Sequence, residues 1–216
     1  MNPIEPTADP ALPQPLRGFE HVNRYWDRQL NIAVAKILPG ELYVSINGEM
    51  IATVLGSCIS VCIRDWKMGI GGMNHFMLPV QVENSSDHWS SNQFGESTRY
   101  GNWAMECLIN EIMKAGGSKN NLEIKVFGGG SVLNHASDVG KQNIVFVKQF
   151  LKQEGFSIAA EDTGDIYPRK VLFFSKTGAV KVRKLKTLHN ATIAEREQQY
   201  RRKILDSDQT GTIELF

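Results

Sequence analysis

The chain has 216 residues, 42% of them hydrophobic and 22% charged, which is typical of one globular domain with extensions. Lys and Arg number 24 against 23 Asp and Glu, so a net charge of +1 creates no field that would recruit nucleic acid or an anionic membrane. No apolar run approaches the roughly 20 residues that span a bilayer, and the N-terminus lacks the features of a signal peptide. We therefore expect a cytoplasmic protein whose three cysteines are free thiols.

The N-terminal segment is rich in proline. Residues 1–18 hold five of the eight prolines and no periodic apolar pattern, which favours a flexible arm. We assign residues 1–40 to this arm and its lead-in. The segment that follows, ELYVSINGEMIATVLGSC, has short apolar runs on both sides of Asn-Gly-Glu, a pattern that predicts two strands joined as a hairpin.

The segments ISVCIRD and GIGGMNHFML predict a second hairpin, with its turn at Trp66 and Lys67. A two-residue loop would place Cys58 directly opposite His75 on one face, with Cβ atoms about 4.5–5.5 Å apart. A loop one residue longer would move the two side chains onto different faces. The pairing of Cys58 with His75 therefore depends on the length of this loop.

The second half of the chain alternates helical and extended patterns. Residues 97–115 carry apolar side chains at three- and four-residue spacing, which predicts an amphipathic helix. The strand LEIKVF, the helix NIVFVKQFLKQEG, the strand FSIAAED and a hairpin in RKVLFFSKTGAVKVRKL follow. This order predicts an α/β domain over residues 41–185, with mixed sheet layers and covering helices.

The tail, residues 186–216, is basic and helical in part. Its helical pattern has a thin apolar stripe of Ile193, Tyr200 and Ile204. Such a segment could dock on the domain, pack on a partner or fray.

Cys58 is the best candidate for chemistry. It follows Gly56 and Ser57, and a glycine in a strand pattern indicates a break at which backbone N–H groups can face one space. His75 could act as a base that holds the cysteine as a thiolate, the form that attacks carbonyl groups. The alternative is that Cys58 is a small buried side chain, the usual role of a cysteine in a reducing compartment.

The other candidates fit structural roles better. Cys62 lies in the middle of a strand, Cys107 on the apolar face of a helix, and His88 in a polar loop. No CxxC or HxxxH spacing indicates a zinc site. The glycines Gly128, Gly129 and Gly130 lack the lysine and spacing of a phosphate-binding loop and instead indicate a tight turn that could line the cleft around Cys58.

Taken together, these residues resemble the chemoreceptor glutamine deamidase family, CheD. The matching segments, in family order, are TVLGSCISVCIRD, GGMNHFMLP, VFGGGSVL, KQNIVFVKQFL, AAEDTG and RKVLFFSKTGAVKVRKL. They extend over residues 45–185 or so, and it is their combination that makes the resemblance specific. Asp165 departs from it, because related sequences commonly have a second glycine there.

The resemblance implies a cysteine hydrolase that converts glutamine side chains of methyl-accepting chemotaxis proteins to glutamate and releases ammonia, with no cofactor. It matches Cys58 to the nucleophile, His75 to the general base and Thr53 to the threonine of a catalytic triad. Backbone N–H groups from Gly56 to Cys58 would stabilise the oxyanion. The same acyl-enzyme would also form from a glutamate methyl ester, so a methylesterase side activity stays open.

Two further points stay open at the level of sequence. Family members are often regulated by a partner phosphatase called CheC. The N- and C-terminal extensions could serve for docking on a receptor or a regulator. Two rival functions also compete: a cysteine amidase or peptidase that cuts backbone, and a binding module with an inert thiol that only docks on receptors or an adaptor.

Overall fold

The computed structural model describes residues 9–78, 91–132, 139–186 and 190–208. Ten strands and three α-helices occur there. The strands are β1 (Asn23–Asp27), β2 (Ile32–Lys36), β3 (Leu42–Ser45), β4 (Met50–Leu55), β5 (Ile59–Asp65), β6 (Ile70–Asn74), β7 (Leu122–Gly128), β8 (Ile158–Thr163), β9 (Arg169–Phe174) and β10 (Val180–Lys184). The helices are α1 (Ser91–Lys114), α2 (Val139–Gln153) and α3 (Asn190–Asp208), with a short 3-10 turn at Lys119–Asn121.

The strands form two five-stranded sheets. The first has the order β1-β2-β4-β9-β10 and the second the order β3-β6-β5-β7-β8. Both sheets are mixed, because β2 pairs with β4 and β7 with β8 in parallel while the other pairs are antiparallel. The expected α/β class with mixed sheets and covering helices is confirmed.

The main hydrophobic core joins both sheets to the helices α1 and α2. Strand β5 is buried on both faces, and each residue from Ile59 to Ile63 is at most 1% exposed. Helices α1 and α2 both contact this strand. The β-branched sequence of β5 suits a strand that has no solvent-facing side. No helix in the described part of the chain is both long and apolar enough to cross a membrane.

The first predicted hairpin does not form. Strands β3 and β4 flank the Asn-Gly turn as expected, but β3 pairs with β6 in the second sheet and β4 pairs with β2 and β9 in the first. The residues that close this turn are held by side chains instead, since Ser45 Oγ accepts hydrogen bonds from the backbone N–H groups of Asn47 and Glu49. The chain thus crosses between sheets where sequence pattern predicted a local pair.

The second hairpin forms with a different register. Cys62 pairs with Met73 and Asp65 with Ile70, so the loop spans four residues and the direct pairing of Cys58 with His75 is wrong. Asp65 lengthens the turn because its Oδ1 accepts hydrogen bonds from the backbone N–H groups of two loop residues. Because the shift is two residues, it keeps every side chain on its original face.

Strands β1 and β2 precede residue 41, where the sequence analysis placed the start of the domain. Arg24 on β1 binds the buried carboxylate of Glu49, with Nε 2.9 Å and Nη2 2.6 Å from Oε1. Phe19 is also buried and packs edge-on against Tyr43, with ring centroids 5.3 Å apart. This ion pair and this aromatic contact add to the strand pairing of β1 with β2 and of β2 with β4, and neither contact produces a periodic pattern in the sequence.

Candidate active site

Residues Gly56, Ser57 and Cys58 connect β4 in the first sheet to β5 in the second. The interruption of the strand pattern therefore marks the point at which the chain passes from one sheet to the other. Ser57 and Cys58 are at most 2% exposed. A methyl group on Gly56 would lie 2.6 Å from Val132 Cγ2 and 2.8 Å from Glu197 Oε2, so the glycine leaves room for a carboxylate.

Two hydrogen bonds fix the orientation of this turn. The Gly130 N–H donates to the Gly56 carbonyl at 2.8 Å, and the Asn143 side-chain amide donates to the Ser57 carbonyl at 2.8 Å. In a trans peptide the C=O and the following N–H point in opposite directions. Holding these two carbonyls on one side therefore turns the N–H groups of Ser57 and Cys58 to the other.

The N–H groups of the turn converge on one carboxylate, that of Glu197 in α3. Oε1 accepts from Gly56 N at 2.9 Å and from Cys58 N at 3.2 Å, and Oε2 accepts from Ser57 N at 2.8 Å. The Ser57 hydroxyl also donates to Oε2, at 2.6 Å. Successive N–H groups aimed at one point form an anion site of the kind that stabilises oxyanions.

His75 lies beside the turn, and its ring is oriented by Thr53. Thr53 Oγ1 lies 2.9 Å from the Ile37 carbonyl and 2.8 Å from His75 Nδ1. Because a carbonyl only accepts, the threonine donates its hydrogen to Ile37 and accepts one from Nδ1. The protonated nitrogen is therefore Nδ1, and Nε2 is left as an acceptor.

His75 Nε2 is buried and has no hydrogen-bond partner among the described residues. A ligand nitrogen of His75, the Cys58 sulfur and a Glu197 carboxylate oxygen lie within 4.8 Å of one another. The three sequence-predicted residues Cys58, His75 and Thr53 are thus brought together. Cys58 and His75 meet as diagonal neighbours on one face, which the two-residue shift in register permits.

The thiol and the imidazole are both held neutral. Burial, followed by the charge of Glu197, raises the pKa of the Cys58 thiol well above its ordinary value. Burial lowers the pKa of His75 from 6.5 to about 3. With the Glu197 carboxylate bound, the site therefore contains a protonated Cys58 thiol near the unprotonated Nε2 of His75.

The His75 shift predicts an acid-sensitive fold. The unfolded chain binds a proton on this residue below 6.5 and the folded chain only near 3, so its contribution to stability is complete above 6.5 and is lost as pH falls. Between pH 7 and pH 5 we expect the unfolding free energy to fall by about 2 kcal/mol more in the parent chain than in the His75→Gln variant. Urea unfolding at the two pH values measures this difference, and parallel losses in the two proteins would contradict it.

The three glycines at the end of β7, Gly128 to Gly130, lie against the turn. Gly128 has a φ of 112°, and a methyl group there would lie 2.2 Å from the Cys58 carbonyl oxygen. The N–H of Gly129 donates to that same carbonyl at 2.7 Å. Asp165, where the resemblance favoured a glycine, has a φ of 70°, a left-handed conformation that aspartate tolerates. The close backbone approach expected of this glycine segment is therefore present.

The set Cys58, His75 and Glu197 contains ligand types that bind metal ions, although no cysteine or histidine spacing in the sequence indicated one. Both Glu197 oxygens, however, already accept hydrogen bonds from N–H or O–H donors. Those donors would face a cation with their hydrogens. The arrangement suits an anion or a carbonyl oxygen better than a metal.

Two residues of the site, Asn143 and Glu197, were not predicted from the sequence. Asn143 is fully buried in α2, and its side chain also accepts the Leu78 N–H at 2.9 Å. Glu197 lies in the middle of the apolar stripe that Ile193, Tyr200 and Ile204 form. A carboxylate at the centre of an apolar face is a signal that could have identified it, because a buried charge requires partners.

The remaining candidates lie where structural roles were expected. Cys62 is buried in mid-strand and Cys107 is half-buried on α1. Burial raises the pKa of both thiols. His88 lies outside the described residues.

Comparison with known proteins shows similarity over nearly the whole chain. The family model "CheD chemotactic sensory transduction" matches residues 77–184. A protein of Halorhodospira halophila named "Probable chemoreceptor glutamine deamidase CheD" is 46% identical over 206 residues, covering 95% of each chain. Proteins with the same name from Hahella chejuensis and Herminiimonas arsenicoxydans are 45% identical over 100% of both chains, and 50% identical over 90% of this chain and 94% of the relative.

Proposed function

Because this chain belongs to the CheD family, we propose that it is a protein-glutamine deamidase that converts glutamine side chains of methyl-accepting chemotaxis receptors to glutamate. The names of its relatives supply the substrate class. The observation that carries the chemistry is the convergence of three backbone N–H groups on one carboxylate beside a thiol and an imidazole.

The first half-reaction follows from the roles of these groups. Cys58 passes its proton to His75 Nε2, and the thiolate attacks the carbonyl carbon of the glutamine amide. Negative charge then develops on the former carbonyl oxygen, where the N–H groups of residues 56–58 stabilise it. When the C–N bond breaks, His75 returns the proton to the departing nitrogen, so ammonia leaves and a thioester remains.

The second half-reaction hydrolyses the thioester. His75 Nε2 removes a proton from water, and the hydroxide attacks the acyl carbon. The C–S bond then breaks, and His75 returns the proton to the sulfur, which gives the glutamate side chain and the Cys58 thiol. Thr53 keeps the proton on Nδ1, so that Nε2 serves as base in both steps. The balance is one amide and one water giving one carboxylic acid and one ammonia.

A chemoreceptor cytoplasmic fragment provides the test. After incubation with the chain, peptide mass mapping is expected to show replacement of –NH₂ by –OH at defined glutamines, with ammonia released in equal amount. The same chain alkylated at its thiols is the control. Cleavage of the receptor backbone would support a peptidase instead, and an unchanged receptor that still binds would support the docking module.

The same thioester would form from a glutamate methyl ester, with methanol leaving in place of ammonia. A receptor carrying such esters would therefore release methanol in a reaction that requires Cys58. The family resemblance also suggests regulation by a CheC-like phosphatase, which a pull-down with such a protein would test.

A further inference from the structure

Helix α3 approaches the active site from far along the sequence. Its Glu197 is 2% exposed, and its carboxylate takes every hydrogen bond that the turn offers: three from backbone N–H groups and one from the Ser57 hydroxyl. The helix thus places a side chain in the position at which a reacting group would bind.

The side chain in that position has the size and shape of the substrate. Glutamate and glutamine share the same carbon skeleton, and they differ only in –O⁻ against –NH₂ at the end. Glutamate is also the product of the proposed reaction. A carboxylate at this point therefore represents the product state, with Cys58 and His75 both within 4.8 Å of it.

The rest of α3 is held by a narrow stripe. Tyr200 hydrogen-bonds Tyr100 and covers Gly40, where an added methyl group would lie 2.8 Å from the ring. Ile204 is buried and Ile193 is half-buried, while Gln198 and Gln199 are exposed. The contacts on this stripe lie four residues before Glu197 and three and seven residues after it, one face of a helix.

On the basis of the proposed function, we infer that α3 occupies the groove of the substrate helix and acts as a product mimic in cis, so that it must leave before a receptor binds. The groove then selects a helical segment whose target glutamine has apolar residues four positions before it and three and seven positions after it. The side-chain pattern of α3 therefore also predicts the pattern of the receptor helix that binds in its place.

The docked helix also suppresses the nucleophile. With the helix in place the thiol is buried and the carboxylate of Glu197 lies within 4.8 Å of it, and both burial and negative charge disfavour the thiolate. Departure of α3 would remove the charge and admit solvent. Access and reactivity would therefore be gained in the same event.

The first experiment converts the mimic into a substrate. In the Glu197→Gln variant, the Cys58 thiolate would attack the new amide, ammonia would leave, and water would hydrolyse the thioester, restoring glutamate. Peptide mapping of the purified variant is expected to show conversion at position 197 and none in the variant that also carries Cys58→Ala. Gln198 and Gln199 are exposed neighbours in the same peptide and should remain amides.

The second experiment measures thiol reactivity. We expect Glu197→Ala to raise the rate of Cys58 alkylation by iodoacetamide at least about tenfold, because loss of the neighbouring negative charge and of the covering side chain favours the thiolate. Glu195→Ala removes an exposed carboxylate from the same helix and should leave the rate unchanged. Tyr200→Ala, which loosens the helix without touching the turn, should raise it too. All three variants are compared with parent chain at one pH.

Four outcomes decide the inference. Conversion at position 197 together with faster alkylation supports it, and an apparent KM for receptor that falls in Glu197→Ala supports it further. An unconverted amide with unchanged alkylation overturns it, even where receptor deamidation proceeds and the proposed function stands. Slower alkylation in a folded Glu197→Ala also overturns it, because the carboxylate would then help the nucleophile. Conversion at position 197 without any receptor conversion supports the cis mimic and counts against the receptor substrate.

Discussion

Replacing Cys58 with alanine is expected to abolish receptor deamidation, with a loss of more than about 10⁴-fold in kcat. The change removes the sulfur, the only protein atom proposed to form a covalent bond with the substrate. Receptor binding should survive, because the N–H groups of the turn do not depend on the sulfur. Product formation is measured by peptide mapping, and receptor binding by co-sedimentation.

The matched controls are the other two thiols. Cys62→Ala and Cys107→Ala should each retain turnover while losing stability, more for Cys62 because it is 1% exposed. Complete loss of turnover in either folded variant would mean that the wrong thiol was assigned. Measurable turnover by Cys58→Ala would overturn the assignment directly.

The secondary structure could be predicted well from local pattern. The helix α2, the strands β7 and β8 and the hairpin of β9 and β10 all lie where periodicity placed them. The local hairpin of β1 and β2 was not predicted, and the other errors arose where the partner of a strand is distant in the sequence. The local sequence does not show that β3 pairs with β6 and not with β4, because strand pairing depends on the packing of the whole core.

The residues of the candidate site could be selected from the sequence, but their exact geometry could not. A glycine before a cysteine indicated an open turn, and the structure places Cys58 there as a crossing between sheets. The exact register with His75 could not be derived, since it depends on how Asp65 builds its loop. Cys58 and His75 still lie on the predicted face of the hairpin, because the loop is longer than predicted by two residues and side chains alternate between the faces with a period of two.

The position of Glu197 in an apolar stripe indicates from sequence that it is buried, but its partners could not be predicted, because they are backbone groups more than a hundred residues away. The thin apolar stripe left open whether the tail docks on the domain, packs on a partner or frays, because an apolar pattern does not show what a buried polar residue contributes. Charge-assisted hydrogen bonds to several N–H groups anchor a helix that its apolar contacts alone would hold loosely. The tail helix α3 therefore lies on the turn at residues 56–58.

The second large effect on turnover is expected from substitutions of His75 and Thr53. We expect His75→Ala to lower kcat by about 10²–10⁴-fold, the range typical of a lost general base, with receptor binding retained. Thr53→Val should lower kcat by about 10–100-fold, as loss of an orienting partner does at other sites, because His75 Nδ1 loses its acceptor and the ring can protonate on the other nitrogen.

Thr53→Ser is the matched control, since it keeps the hydroxyl that bonds both the Ile37 carbonyl and His75 Nδ1. It should retain most of the turnover, whereas Thr53→Val should not, at equal KM for receptor. Thermal unfolding of the two variants shows whether a lost buried hydrogen bond has merely weakened the fold. Equal kcat in His75→Ala and the parent chain would overturn the pairing of Cys58 with His75. Equal kcat in Thr53→Val and Thr53→Ser would show that the ring needs no orientation by the threonine, because packing alone then holds Nε2 toward the thiol.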